Sequence, residues 1–336
     1  MNFIFSFIAI LVIIAAALIG ASVPQLSFLF GVVFPYTAMV VFVFGIIYRV
    51  VKWASSPVPF HIPTVTGQQR SLPWIRSSKL ESPHTTLGVI GRMAMEILFF
   101  RSLFRNTRME LSAGSNGKNG PRLVYGSAKY LWLGAMAFHW SLLIILLRHL
   151  RLFMEPIPSF VLGLQSIDGF FQVTLPTFYI TDALILIALS FLLLRRLTDS
   201  RMRYISLASD YFPLLLILSI AATGILMRYF IKVDLVNAKE LAIGLFSFHP
   251  VVPQGIGVMF YLHLSLVCVL LVYFPFSKLL HMPGIFLSPT RNLANNSRMK
   301  RHVNPWNRPV RVHTYEEYED EFREKMKDAG VPLEKE

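Results

Sequence analysis

Four of the nine histidines stand inside long apolar stretches. An ionisable ring is costly at membrane depth, so each is a candidate for chemistry. His139 and His149 lie ten residues apart in FHWSLLIILLRHLR, and His263 and His281 lie eighteen apart in YLHLSLVCVLLVYFPFSKLLH. A neutral imidazole binds iron through one ring nitrogen while its other N–H is satisfied by a carbonyl or water. Two histidines per iron leave no open coordination position, which suits electron transfer and disfavours oxygen chemistry. A flat apolar macrocycle also fits a helix-bundle interior. The pattern therefore predicts two b-type haems with His139, His149, His263 and His281 as axial ligands. On antiparallel helices His149 pairs with His263, and His139 with His281. Straight helices would separate the ligands by about 15 Å on one and about 27 Å on the other, at 1.5 Å per residue. Sharing the mismatch offsets each pair by roughly 6 Å, for tilt and a kink at Pro275 to absorb. The competing reading is that these are core or interfacial histidines, with His281 at a helix end and His149 beside Arg148.

The elements that must position them follow from composition. Of 336 residues 54% are hydrophobic and 15% are charged, against about a quarter charged in soluble proteins. Lipid is the expected solvent. The net charge of +13 would suggest nucleic acid in a soluble protein; here the basic residues lie between apolar runs and report topology. Six stretches reach the roughly 20 apolar residues a spanning helix needs: 2–22, 29–52, 128–150, 179–197, 211–230 and 257–280. The first lacks a basic leader and a small-residue cleavage site, and reads as a retained helix. Residues 52–127 hold ten Lys/Arg against three acids, and further basic residues follow the fourth and sixth spans. Both termini are thus expected in the cytoplasm of a multi-pass protein of a prokaryotic plasma membrane. The lone Cys268 excludes intramolecular disulfides and CxxCH haem attachment, and reads as a packing residue.

The predicted fold is all-α, a polytopic transmembrane bundle of about six spans with a dihaem core and cytoplasmic amphipathic segments. Four regions divide it: 1–53, two N-terminal membrane helices; 54–127, a basic cytoplasmic loop; 128–283, the dihaem cytochrome b core; and 284–336, a cytoplasmic tail. Residues 54–84 are proline- and serine-rich loop. The 85–110 segment, which carries Leu87, Ile90, Met93, Ile97, Phe100 and Phe104 among four charges, reads as a helix lying at the membrane surface or under a partner, and 112–120 as a flexible turn. Thr314 with Glu317 forms a capping box, and Gly330 and Pro332 mark a stop. That helix carries Tyr315, Tyr318, Phe322 and Met326 on one face, as a surface for a partner. His61, His84, His302 and His313 fall in loops and read as solvated.

At the paired histidines, FPFSKLLH and LLLRRLTDSRMR, the chain resembles the membrane-anchor gamma subunits of respiratory nitrate reductases over about 128–283. That resemblance implies a five-helix dihaem core that oxidises quinol near the outer haem and delivers electrons to a cytoplasmic partner. The extra N-terminal helix, the basic loop, LSPTRNLANNSRMKRHVNPWN and TYEEYEDEF make it similar, nearly end to end, to the M subunits of the sulfite-reduction-associated Dsr complex. This second resemblance implies menaquinol as substrate and an iron–sulfur, heterodisulfide reductase-like partner. It also implies a multihaem c-type cytochrome, a second iron–sulfur protein and another membrane subunit, and no nucleic acid. Candidate quinol contacts are Arg148, Arg151, Asp168 and His249. Arg148 and Arg151 are alternatively propionate holders or snorkelling residues. Two other functions fit the composition: a histidine-lined membrane transporter, disfavoured by the lack of a repeated half, and a haem-free anchor.

Overall fold

The computed structural model describes residues 1–57, 67–112, 122–171, 177–299 and 309–335; His61, His302 and nearly all of the 112–120 turn lie outside them. Helix α1 (Asn2–Ala21) is followed by short 3-10 and π turns leading into α2 (Phe34–Ala54). Next come α3 (Thr86–Phe99), α4 (Arg101–Arg105) and a hairpin of β1 (Thr107–Ser112) with β2 (Arg122–Ser127), in antiparallel register with Thr107 opposite Ser127. Helix α5 (Lys129–His149), α6 (Ser159–Asp168), a small β3–β4 pair (Gly169–Phe171, Phe178–Tyr179) and α7 (Ile180–Thr198) follow. The chain continues through α8 (Ser200–Ile205), α9 (Ala208–Leu226), α10 (Leu235–Phe246) and α11 (Val258–Tyr273). It ends with α12 (His281–Leu287), α13 (Pro289–Asn292) and α14 (Tyr315–Asp328).

Asn2–Ala21, Pro24–Ala54, Lys129–Leu152, Ala208–Ile231 and Val258–Phe276 are long and apolar enough to cross a membrane. The remaining expected span, α7, carries Asp182, Arg195 and Arg196 near its ends and packs between α5 and α9. Helix α1 lies against α9 and α11, and α2 against α11. Leu215, Leu216, Leu262 and Leu266 are buried with Ile10 and Ala17 at the α1–α9–α11 junction. Phe138, Ile185, Leu189 and Ile217 join α5, α7 and α9. Outward-facing Ile4, Phe5, Phe44, Leu146 and Ile187 stay exposed, as lipid-facing residues do. The result is an all-α membrane bundle.

One end of the bundle carries the start of α1, the end of α11 and the α3–α4 segment; we call it the cap end, and the other the far end. At the cap end α11 does not run straight to His281. It stops at Tyr273, makes 3-10 turns at Phe274–Phe276 and Lys278–Leu280 around an extended Ser277, and restarts at His281. A Cβ on Gly45 would lie 2.6 Å from Pro275 Cβ, so only glycine lets α2 come this close. Arg49 Nε donates to the Pro275 carbonyl at 3.0 Å, satisfying an acceptor freed by the break.

The 85–110 segment forms α3 and α4 and runs on into β1. Thr85 caps α3 as its residue type favours, accepting from Gly88 N at 3.2 Å. The inward face is nevertheless Val89, Arg92 and Glu96, while Leu87 and Ile90 are exposed. Glu96 accepts from Ser102 N at 3.2 Å and from Ser102 Oγ, and Arg291 Nη1 of α13 lies 3.3 Å away. The opposite charge supplied by α13 is what lets Glu96 turn inward. Glu81 is clamped by Arg101 and Arg105. Burial alone would raise its pKa, but the Arg101 hydrogen bond and the charges of Arg105 and Arg101 hold it below the ordinary carboxylate range. His84 is half-buried and accepts from Arg70 Nη1 at 2.8 Å, so it is not simply solvated.

The α14 capping box forms as expected, with Glu317 N to Thr314 Oγ1 and Thr314 N to Glu317 Oε2 both at 3.2 Å. Its apolar face is only partly free. The chain after left-handed Gly330 folds back, so Tyr315 Oη donates to the Pro332 carbonyl at 3.2 Å and Met326 is buried. Glu319, also buried, accepts from Glu334 N and Lys335 N at 2.8 and 3.0 Å. Tyr318 remains exposed, its ring 4.8 Å from that of Phe322.

Candidate haem and quinol site

His139 and His281 meet as antiparallel packing requires. The His139 and His281 ring centroids lie 6.0 Å apart, with planes at 82°. Two metal–nitrogen bonds of about 2 Å, plus the ring radii, call for roughly this separation. The break in α11 makes the match: the eighteen-residue interval is not continuous helix, so the straight-helix length does not apply. His263 and His149 are electrostatic neighbours toward the far end.

In every one of the four rings Nδ1 is occupied. His139 Nδ1 is 2.8 Å from the Ala135 carbonyl, His149 Nδ1 2.7 Å from Ile145, and His281 Nδ1 2.8 Å from Lys278. His263 Nδ1 lies 2.9 Å from Thr223 Oγ1, and that hydroxyl itself donates to the Ser219 and Ile220 carbonyls at 2.9 and 3.0 Å. The threonine therefore accepts from the ring. Each imidazole is left with Nε2 as its lone-pair nitrogen, the tautomer a metal ligand needs. Gly224 adds room beside His263, since a Cβ there would stand 3.3 Å from Cε1. The His139–His281 pair fits a bis-histidine haem, and His149 and His263 offer the same free nitrogen.

Beside His149 lies a buried charge cluster. Arg148 Nη2 donates to Asp182 Oδ1 at 2.7 Å, and Arg148 Nη1 is 3.0 Å from Asp168 Oδ2. Asp168 also accepts from Thr181 N and Oγ1 at 2.9 and 2.7 Å, and Tyr229 Oη donates to Asp182 Oδ2 at 2.8 Å. The guanidinium carbons of Arg148 and Arg228 lie 3.8 and 4.0 Å from the Tyr179 ring centre. Arg148 thus bridges two carboxylates, as burial demands, while Arg228 stacks on the same Tyr179 ring and donates through Nη2 to the Thr177 carbonyl at 3.0 Å. Arg148 Nε and Arg228 Nε remain buried without a hydrogen-bond partner, donors that an anionic group such as a haem carboxylate would satisfy.

Of the candidate quinol contacts, Arg148 and Asp168 are brought together in this cluster. Arg151 sits half-buried on the 3-10 turn after α5. His249 is exposed beyond α10, with Nδ1 2.8 Å from the Ser247 carbonyl. The reading from sequence missed Asp182, Tyr179, Arg228, Tyr229 and Thr223. An acid in the first turn of an apolar span was the available signal for Asp182.

The family model described as nitrate reductase gamma subunit matches residues 93–302. The chain belongs to the nitrate reductase gamma subunit family. The match takes in all four paired histidines and the whole charge cluster. The chain is also 47% identical, over 84% of each chain, to the Hdr-like menaquinol oxidoreductase cytochrome b-like subunit of Archaeoglobus fulgidus. Its identity to the Archaeoglobus profundus protein of the same name is 42%, over 81% of each. The two N-terminal helices precede the region that the family model matches.

Proposed function

We propose that this chain is a membrane cytochrome b subunit that oxidises menaquinol and passes electrons through two b-type haems to a cytoplasmic partner. The observation that carries this is the set of four histidines, paired across the bundle, with every Nδ1 engaged and every Nε2 free to ligate. Haem, when bound, supplies one-electron redox chemistry. The chain's own residues supply ligands, dielectric and charge. In this reading the cap end faces the cytoplasm, where the basic loops lie, and His139 with His281 forms the inner site. His149 with His263 forms the outer site.

The quinol site belongs at the far end, beside His149. Arg151, half-buried on the turn three residues after Arg148, stabilises the negative charge that develops as quinol deprotonates; Asp168 is the candidate proton acceptor and His249 a further quinol contact. Arg148 is held between two carboxylates, so its part is to keep that cluster neutral. Proton release outside with electron movement inward would add to the membrane potential. The name of the two Archaeoglobus relatives supports menaquinol and a heterodisulfide reductase-like association. By the Dsr resemblance the partners are an iron–sulfur subunit of that kind, a multihaem c-type cytochrome, a further iron–sulfur protein and a second membrane subunit. The setting is sulfur-compound respiration.

The test is a spectrum. Purified protein should show two low-spin b-type haems; His263→Ala should remove the outer and spare the inner, and His281→Ala the reverse. Absence of a b-type band would sink the proposal. Arg151→Ala should slow reduction by a quinol analogue with both bands retained.

A further inference from the structure

Phe100 is one of three non-glycine residues with positive φ among the described residues, at φ 47° and ψ 47°. A left-handed turn between α3 and α4 would be adopted most easily by glycine or asparagine. A phenylalanine there signals that its side chain is wanted, and such strain persists only where surrounding bonds over-determine it. They do so here. The helix that carries His139 reaches across with two indoles: Trp132 Nε1 donates to the Phe99 carbonyl at 2.7 Å, and Trp140 Nε1 to the Leu98 carbonyl at 3.1 Å. Phe100 N donates to the Glu96 carbonyl at 3.2 Å, and Phe104 N to the Phe100 carbonyl at 3.0 Å. Glu96 holds Ser102 on the other side of the turn.

The elbow is therefore registered on α5 itself, by tryptophans flanking the ligand histidine. What it delivers is the Phe100 ring, whose centroid lies 4.9 Å from that of His139 in an edge-on arrangement at 79°. Phe138 stands at 4.8 Å from the same imidazole and His281 at 6.0 Å. The Ala135 hydrogen bond restrains the His139 ring at Nδ1, and Phe100 packs against the same ring, whose plane is set by rotation about its Cβ–Cγ bond.

We propose that Phe100 is a positioning residue for the inner haem ligand: its ring, carried on the left-handed elbow, fixes the plane of the His139 imidazole and closes that ligand's cap-end approach to water. This rests on the haem-ligand reading of His139 and His281. It implies that the α3–α4 segment, outside the membrane bundle, helps to set the electronic properties of the inner haem.

Full-length Phe100→Ala, Phe100→Gly and Phe100→Tyr proteins, purified with haem, test it by electron paramagnetic resonance and redox titration. Alanine and glycine should shift the largest g value of the inner haem, which responds to the angle between ligand planes. They should also lower its midpoint potential, because water favours the charged ferric form. The outer haem should be unmoved, and tyrosine should keep the wild-type signals. Glycine is decisive, since it removes ring and strain together. If Phe100 served only the turn, glycine would leave the inner signal untouched, and that result overturns the proposal. Should the alanine and glycine proteins fail to fold, the Trp132→Phe, Trp140→Phe double variant, which frees the elbow without touching the histidine, is expected to shift the same signal; no shift overturns the proposal equally. A wild-type protein without b-type absorption would overturn the ligand reading and this inference with it. Two normal haem signals insensitive to residue 100 would overturn this inference alone.

Discussion

Replacing Thr223 with valine removes one hydroxyl and keeps the side chain's shape. That hydroxyl, 2.9 Å from His263 Nδ1, holds the ring in the tautomer that frees Nε2. Losing it forfeits a hydrogen bond worth about 0.5–1.5 kcal/mol net, and outer-shell partners of this kind typically change metal affinity by about 10–100-fold. The expected result is about a tenfold weakening of outer-haem binding, near 1.4 kcal/mol, with the inner haem unchanged. Pyridine haemochrome stoichiometry read against haem concentration during reconstitution measures it, and a redox titration identifies which haem is lost. Thr223→Ser should restore full occupancy. A valine variant with wild-type stoichiometry and an unshifted outer potential would refute the role given to this hydroxyl.

Arg148→Ala should leave Asp168 and Asp182 as uncompensated buried charges and cost about 3–5 kcal/mol, seen as a large drop in melting temperature; a stable variant would show that the cluster is not neutral as described. The Glu81 clamp has a definite pH sign. A carboxylate held below its ordinary pKa contributes stability above its unfolded value of about 4.3 and loses it as pH falls through the folded value. Hydrogen-exchange protection factors of the segment from Glu81 to Arg105 should therefore fall below about pH 4, and Glu81→Gln should lower them already at neutral pH; equal protection in the variant at pH 7 contradicts this. Deleting residues 312–336 should spare both haem bands and weaken co-purification of the cytoplasmic partner, with unchanged assembly as the opposing result.

The spans and the histidine pairs were legible because both follow from local rules: about 20 apolar residues cross a bilayer, and a histidine at that depth needs a reason. What escaped was tertiary. The charge cluster draws Arg148, Asp168, Asp182 and Arg228 from four separate segments, and no spacing rule links them. The inward face of α3 could not be read from its own pattern, because Glu96 is met by Arg291 far along the chain. Pro275 was visible as a breaker, but proline alone does not tell a kink from the double 3-10 turn through Ser277 that brings His281 back to His139. On α14 the apolar face was visible, whereas the tail that covers Met326 lies beyond the residues that signalled the stop.

The unbroken α5 and the interrupted α11 divide labour in a way that bears on tolerance to motion. His139 and His149 share one rigid rod, whose ten-residue rise of about 15 Å would, in the proposed two-haem reading, act as a ruler for the vertical separation of the two metal positions. His281 hangs instead from a jointed segment pinned to α2 through Gly45 and Arg49. The interval the ruler sets does not depend on that joint. Electron hopping falls steeply with distance. With haems at both proposed sites, a bundle built this way would let the rod alone set the length of the hop.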